Sequence, residues 1–370
     1  MRPPEYKASS CLARCFAALS MTQHVSEDVG EKLAAFLKRH HSGRAVRIES
    51  FRLLTGGASR QTWSFDATIE HADGRSETLP LILRADPRRS DLMTRGIEYR
   101  LHESVVAAGV LAPRMHANGD DSIGLPFFVM ERIEGETTAR RLLRDDEYAN
   151  TRAVLPGQLA AILAKIHSIA IDQPGAAELP APPPGVSPAI YEIDRHEKIY
   201  RALTPDPHPA FELAFRWLRE RAPDVEERRL VHGDYRIGNV IFGPEGARSI
   251  LDWELAHIGD PMEDIGWLCV RSWRFGGDKP VGGIGDRDAF YAAYETASGT
   301  KVDPERVRYW EAFGNLRWGI TCIVQVKTYL AGASDSVELA SIGRRVAETE
   351  WELLNLMEDG GQAEAWPPVT

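Results

Sequence analysis

Three carboxylates, an imidazole and a carboxamide stand close together in the run HGDYRIGN at residues 232–239 and the following ILDWE at 250–254. The spacing H-x-D-x-x-x-x-N with a later aspartate supplies one proton acceptor and two oxygen ligands for a hard cation, which suits phosphoryl transfer to a hydroxyl. That reaction needs little covalent help from a protein. The site must orient the alcohol and neutralise charge on the β and γ phosphates. Asp234 is the candidate catalytic base, taking the hydroxyl proton as the bond to phosphorus forms. Asn239 and Asp252 are the candidate Mg²⁺ ligands, because that ion favours carboxylate and carbonyl oxygens together with phosphate. His232 is read as a support of the loop rather than a substrate contact. Taken singly, HGD is also a common polar turn and LDW an ordinary strand end, so the joint pattern carries the reading.

Such residues need elements to hold them. Residues 240–242 and 249–251 are short apolar runs on either side of Gly243-Pro-Glu-Gly246, which reads as an antiparallel hairpin. In a hairpin the start of the first strand lies beside the end of the second, so Asn239 and Asp252 are brought together. Upstream, the pattern predicts strands at 48–53, 62–68, 79–84 and 126–133, and a helix within 94–106. The Gly-rich turn at 54–63 lies between the first two strands. The chain is strand-rich before roughly Ile133 and helical beyond it, with 159–167 as a core helix in which His167 packs or caps. After Asp252, Asp260 is expected to cap a helix with Pro261 at its first position and Glu263 completing an acidic cap. The run Pro180-Ala-Pro-Pro-Pro-Gly185 reads as an exposed connection.

The HGDYRIGN run and ILDWELAHIGDPMEDIGW at 250–267 resemble the aminoglycoside phosphotransferase and choline kinase-like small-molecule kinases. The likeness is closest to the branch also found as a kinase-like domain joined to some acyl-CoA dehydrogenases, with weaker matches from about Phe51 to Tyr329. The resemblance implies an α+β, bilobal protein-kinase-like fold with a β-rich N-lobe, here 25–133, and a larger, mainly helical C-lobe, here 134–370. It implies ATP as donor and Mg²⁺ as its counter-ion. Gly56, Gly57, Ala58 and Ser59 would form the loop covering the nucleotide. Arg84 would stand where many relatives carry a phosphate-binding lysine, and no lysine lies between Lys38 and Lys165 to replace it. Arginine grips phosphate through a longer planar fork, so phosphate geometry would differ. Glu98 would pair with Arg84, and backbone groups near Met130 and Arg132 would meet the purine edge at the hinge. Asp264 would brace the catalytic loop, while Glu254 is equally a second-ion or acceptor contact and a solvated side chain.

Composition narrows the remaining choices. A chain of 370 residues with 43% hydrophobic content can bury two cores. A formal charge of −10 weighs against general nucleic-acid binding. Cys11, Cys15, Cys269 and Cys322 are too few and scattered for a disulfide scaffold or a zinc site. Residues 1–24 read as a flexible extension or a miscalled start, and Arg14 interrupts any signal-like apolar run. No stretch suits a membrane span, so a cytoplasmic protein is expected, of unknown oligomeric state.

The acceptor is expected to be a small-molecule hydroxyl bound partly by 306–329. There Arg306, Arg308, Arg317 and Lys327 outnumber Glu311, and Tyr309, Trp310 and Arg317 are the candidate pocket residues. A polycationic aminoglycoside would favour acidic walls, so a hydroxy acid or hydroxyacyl-CoA is preferred. An aminoglycoside kinase and a noncatalytic nucleotide-binding module are the alternatives. A protein kinase fits less well, because no APE-like activation segment follows Asp252.

Overall fold

The computed structural model describes residues 28–42, 44–54, 61–85, 93–203, 207–225 and 227–358. Its elements divide between two compact units, residues 1–90 with 114–132, and residues 91–113 with 133–370. The first contains α1 (28–40), β1 (Ala45–Leu53), β2 (Gln61–Glu70) and β3 (Ser76–Ala85). Then α2 (Arg95–Ala107) belongs to the second unit, and the chain returns to the first for β4 (Met115–Asn118) and β5 (Phe127–Glu131). The strands form one antiparallel sheet in the order β1-β2-β3-β5-β4. Along β2, Trp63, Phe65, Ala67 and Ile69 recur at every second position and are buried, the period expected of a sheet with one face on a core. Trp63, Phe65 and Ala67 meet Leu33 and Leu37 of α1 together with Leu81, Leu83, Phe127 and Val129. The strand at 115–118 was not foreseen; four residues of mixed polarity give no periodic signal.

The second unit continues with α3 (Ala139–Arg144), α4 (Ala149–Ser168), α5 (Pro188–Leu203), α6 (Pro209–Glu220) and β6 (Arg229–Val231). The hairpin β7 (Val240–Gly243) and β8 (Gly246–Ile250) follows, then β9 (His257–Gly259), α7 (Met262–Cys269), α8 (Arg287–Ser298), α9 (Pro304–Leu330), α10 (Val337–Gly343) and α11 (Val346–Met357). In α4, Leu155, Leu159, Ile162, Leu163 and Ile166 are buried at helical spacing. Asp303 starts α9 by accepting the amides of Glu305 and Arg306, with Pro304 at the first helical position. This helix carries most of the internal face against which α5, α6, α7, α10 and α11 pack. Cys269 and Cys322 are buried thiols within it and α7. Among the described residues no helix is long and apolar enough to cross a membrane.

Candidate active site

Short strands bring the chemistry together. β6 leads directly into His232, β9 leads into Asp260, and the two pair antiparallel with Val231 opposite His257 and Arg229 opposite Gly259. The loop that follows β6 is thereby laid across the first turn of α7. There Asp264 accepts the amide of His232 at 2.8 Å and that of Gly233 at 2.9 Å, one on each oxygen. His167 Nε2 lies 3.1 Å from the same carboxylate and its Nδ1 2.7 Å from the Tyr294 hydroxyl. Nε2 therefore donates to Asp264, and Nδ1 shares the second hydrogen bond with the Tyr294 hydroxyl. Burial alone would raise the Asp264 pKa, but the His167 hydrogen bond, the neighbouring imidazoles and the His232 amide outweigh it and hold it below the ordinary value.

The loop's glycine has a steric reason. Gly233 sits at φ +78°, and a Cβ there would fall 2.3 Å from the Leu255 carbonyl oxygen. His232 is fully buried and its Nδ1 accepts the Asp234 amide at 3.1 Å. Burial lowers its pKa, so a neutral imidazole shapes the turn.

Asp234 receives three side-chain donors. Arg236 Nε reaches Oδ1 at 3.0 Å, Trp267 Nε1 reaches Oδ1 at 2.8 Å, and Asn239 Nδ2 reaches Oδ2 at 2.6 Å. Asn239 Nδ2 also bonds the Asp234 carbonyl at 2.9 Å. With its nitrogen committed to Asp234, the Asn239 carboxamide has its oxygen left for a hard cation, the donor type Mg²⁺ takes. The β7–β8 hairpin pairs Val240 with Ile250, and the Leu251 amide bonds the Asn239 carbonyl at 2.8 Å. Asp252 is thus one residue beyond a backbone bond to Asn239. It is half-buried and left-handed at φ 70°, ψ 62°, a conformation costly for a residue with a Cβ and one that turns its carboxylate out of the strand line. These oxygen donors fit a hard divalent ion. Glu254 follows in a single turn, Trp253–Leu255.

Other expected residues have different employment. Asp260 does cap α7, accepting the Met262 amide at 2.8 Å, with Pro261 just ahead of the helix. Glu263, however, makes no reciprocal cap; it is buried against His257 at 3.1 Å and Arg317 at 3.2 Å. Glu192 of α5 joins this group, held by Arg195 at 2.6 Å. Burial opposes a charge on His257, yet Glu263 and Glu192 together raise its pKa to about 9. The two arginines balance the two carboxylates, making a buried ion network beneath the loop.

The acceptor-pocket expectation for α9 is corrected. Tyr309 and Trp310 are core residues, and the Trp310 N–H is bonded to Asp260 at 2.8 Å. Arg317 is 4% exposed and donates to the Gly233 carbonyl as well as to Glu263, so it fastens the catalytic loop instead of facing a ligand. Arg306 clasps Asp260, Arg308 bonds the carbonyls of Leu356 and Glu358, and Glu311 holds Arg274 and Arg287. The basic excess of this segment is consumed internally and says nothing about the charge of an acceptor. A run of charges cannot reveal this from sequence, because each partner lies on a different element.

In the first unit, Arg84 lies on β3 opposite Thr62 and Phe128. Of the backbone expected to meet the purine edge near Met130 and Arg132, part is engaged within the sheet. β5 is an interior strand, so Met130 lies in ladders with both Ile82 and Met115, and the Arg132 amide bonds the Pro80 carbonyl at 3.0 Å. The Arg132 guanidinium is spent on Ser64, the Phe65 carbonyl and Asp66. In the second unit, buried Glu98 is bonded to Arg95 at 2.5 Å. Gly56, Gly57, Ala58, Ser59, Cys11, Cys15 and the 1–24 segment lie outside the described residues.

Residues to which the sequence reading gave no site role also shape the site: Arg236, Trp267 and His167, the last expected only to pack or cap. Trp267 had a legible signal. It lies three positions after Asp264, so both side chains share one face of α7, the face that meets the catalytic loop.

Comparison with known proteins agrees with this geometry. Acyl-CoA dehydrogenase family member 10 of Mus musculus is 30% identical over 256 residues, 67% of this chain. The chain spans only 22% of that protein's length. A Ralstonia eutropha JMP134 structure, described as a proposed aminoglycoside phosphotransferase, superposes with TM-score 0.68 at 24% identity, covering 87% of this chain and 97% of that one. A thermostable mutant of aminoglycoside phosphotransferase APH(4)-Ia, in ternary complex with AMP-PNP and hygromycin B, gives TM-score 0.56 at 16% identity over 90% of this chain and 99% of that one. These likenesses establish a protein-kinase-like fold with an antiparallel N-terminal sheet and a helical C-terminal region. Residues 50–310 match the profile of one family along most of the chain, and the protein belongs to the phosphotransferase enzyme family.

Proposed function

We propose that this protein transfers the γ-phosphoryl group of Mg·ATP to the hydroxyl of a small molecule, with Asp234 as the proton acceptor. The observation that carries the reading is the Asp234–Asn239 pair: the carboxamide nitrogen holds the base at 2.6 Å and leaves its oxygen beside the chain position of Asp252. Mg²⁺, held by Asn239 and Asp252, would neutralise charge on the phosphates. Asp234 accepts a hydrogen bond from the alcohol, the alcohol oxygen attacks the γ phosphorus, and the bond from phosphorus to the bridging β–γ oxygen breaks. The hydroxyl proton passes to Asp234 and ADP leaves. His232, Asp264 and Arg317 keep the loop backbone fixed through these events, so little reorganisation is needed at the moment of transfer. Arg84, with Gly56 to Ser59, is assigned to the nucleotide phosphates on the resemblance alone.

The preferred acceptor is a hydroxy acid or its acyl-CoA ester. Its support is now the similarity to an acyl-CoA dehydrogenase family member, because the α9 charges are internally paired. The test is a mass-spectrometric screen with Mg·ATP against hydroxy acids, hydroxyacyl-CoAs, sugars, choline and aminoglycosides. One alcohol should gain a phosphoryl group in step with ADP release. Folded protein that binds Mg·ATP yet phosphorylates none of them would favour a noncatalytic nucleotide module, and turnover of aminoglycosides alone would overturn the acceptor preference.

A further inference from the structure

Three indoles, Trp267, Trp273 and Trp318, form an aromatic cluster beside the catalytic loop, with ring centroids 5.1 Å apart for the first pair and 4.7 Å for the second. They differ in what their N–H groups do. Those of Trp273 and Trp318 have no hydrogen-bond partner among the described residues, whereas that of Trp267 is bonded to Asp234 Oδ1 at 2.8 Å. The ring is fixed on several sides. The Arg317 guanidinium lies 4.5 Å from its centroid and is itself tied to Gly233 and Glu263. Gly314 of α9 makes room for it, since a Cβ there would come within 3.2 Å of the Trp267 ring. Arg236, the other donor to Oδ1, is stacked 4.7 Å from the Trp273 centroid.

A carboxylate oxygen has two lone pairs. Oδ1 already accepts from Trp267 and Arg236, while Oδ2 accepts one side-chain donor, Asn239. The geometry points to Trp267 as a positioning residue: its indole N–H, held by Arg317, saturates Oδ1 and leaves the second lone pair of Oδ2 as the atom that receives the acceptor's hydroxyl proton. The inference rests on Asp234 being the proton acceptor in the proposed reaction. It adds that the orientation of that carboxylate is set from α7 and α9. Trp267 touches neither substrate nor phosphate in this scheme and acts through Asp234.

Trp267→Phe keeps an aromatic ring and deletes the donor. The value of kcat should fall roughly 10-fold or more, an expectation scaled to one such bond, while KM for ATP changes little. A native kcat would overturn the inference, and a defect confined to KM would do so too. A second readout needs neither turnover nor a stable Phe variant. In ¹⁵N-labelled protein the Trp267 indole N–H resonance should move upfield on Asp234→Ala, and the Trp273 and Trp318 indoles should not show the same loss. A Trp267 resonance indifferent to Asp234→Ala would contradict the bond even if no acceptor alcohol were found; failure of phosphoryl transfer alone would count only against the proposed reaction.

Discussion

At the scale of single residues the site is an arrangement of donors around two carboxylates. Asp234, the proposed proton acceptor, is held by Asn239, and Asp264 holds the backbone that presents it. Asp264 is fully buried, so replacing it by asparagine removes a charge-assisted acceptor for two amides and His167. The variant should lose roughly 2–4 kcal/mol at neutral pH, measured by denaturant unfolding. The pH dependence carries a definite sign. A carboxylate whose folded pKa is depressed stabilises the fold above its unfolded value, here 3.8, and loses that contribution as pH falls through the lower folded value. Acid unfolding should therefore be steeper in the native protein than in Asp264→Asn; parallel acid limbs would contradict the assignment. Gly233→Ala forces a Cβ against the Leu255 carbonyl in left-handed backbone, and should cost roughly 1–3 kcal/mol or displace the loop. A variant with native stability and native nucleotide binding would show that the loop tolerates the clash.

At the scale of elements, two short strand pairings and one helix terminus assemble the site. β6 and β9 set the loop on α7, the β7–β8 hairpin brings Asn239 to the backbone before Asp252, and α9 pins both through Arg317. His257 links β9 to α5 and α7 through Glu192 and Glu263. Its raised pKa contributes stability that is complete below the unfolded value of 6.5 and lost as pH rises through about 9. The native Tm should decline across that window, and His257→Asn should flatten the decline while lowering Tm at pH 6; an unchanged alkaline slope would argue against a charged His257. Much of this scale was legible in the sequence. The 240–251 hairpin, the four strands and the helix after Thr94 follow from apolar runs, turn residues and helical periodicity. The arginines of 306–317 were misread because their partners, Asp260, Gly233 and Glu263, are distant in sequence. Likewise, whether β5 lies inside or at the edge of its sheet decides the use of the Met130 and Arg132 backbone, and a strand's own residues do not encode its neighbours.

At the scale of the molecule, the chain is a member of the phosphotransferase enzyme family that spans 22% of a much longer acyl-CoA dehydrogenase relative. Its second unit holds Asp234, Asn239 and Asp252, while its first is a five-stranded antiparallel sheet over its own apolar core. The central claim is that Asp234 performs proton transfer in a phosphoryl-transfer reaction instead of merely supporting the loop. It is tested most directly by rapid-quench measurement of phosphoryl transfer from Mg·ATP to the acceptor found in the screen, in native protein and Asp234→Ala at saturating concentrations of both substrates. The account predicts a transfer step slower by about 10²–10⁴-fold with ATP affinity retained. Transfer at the native rate in folded Asp234→Ala would contradict it.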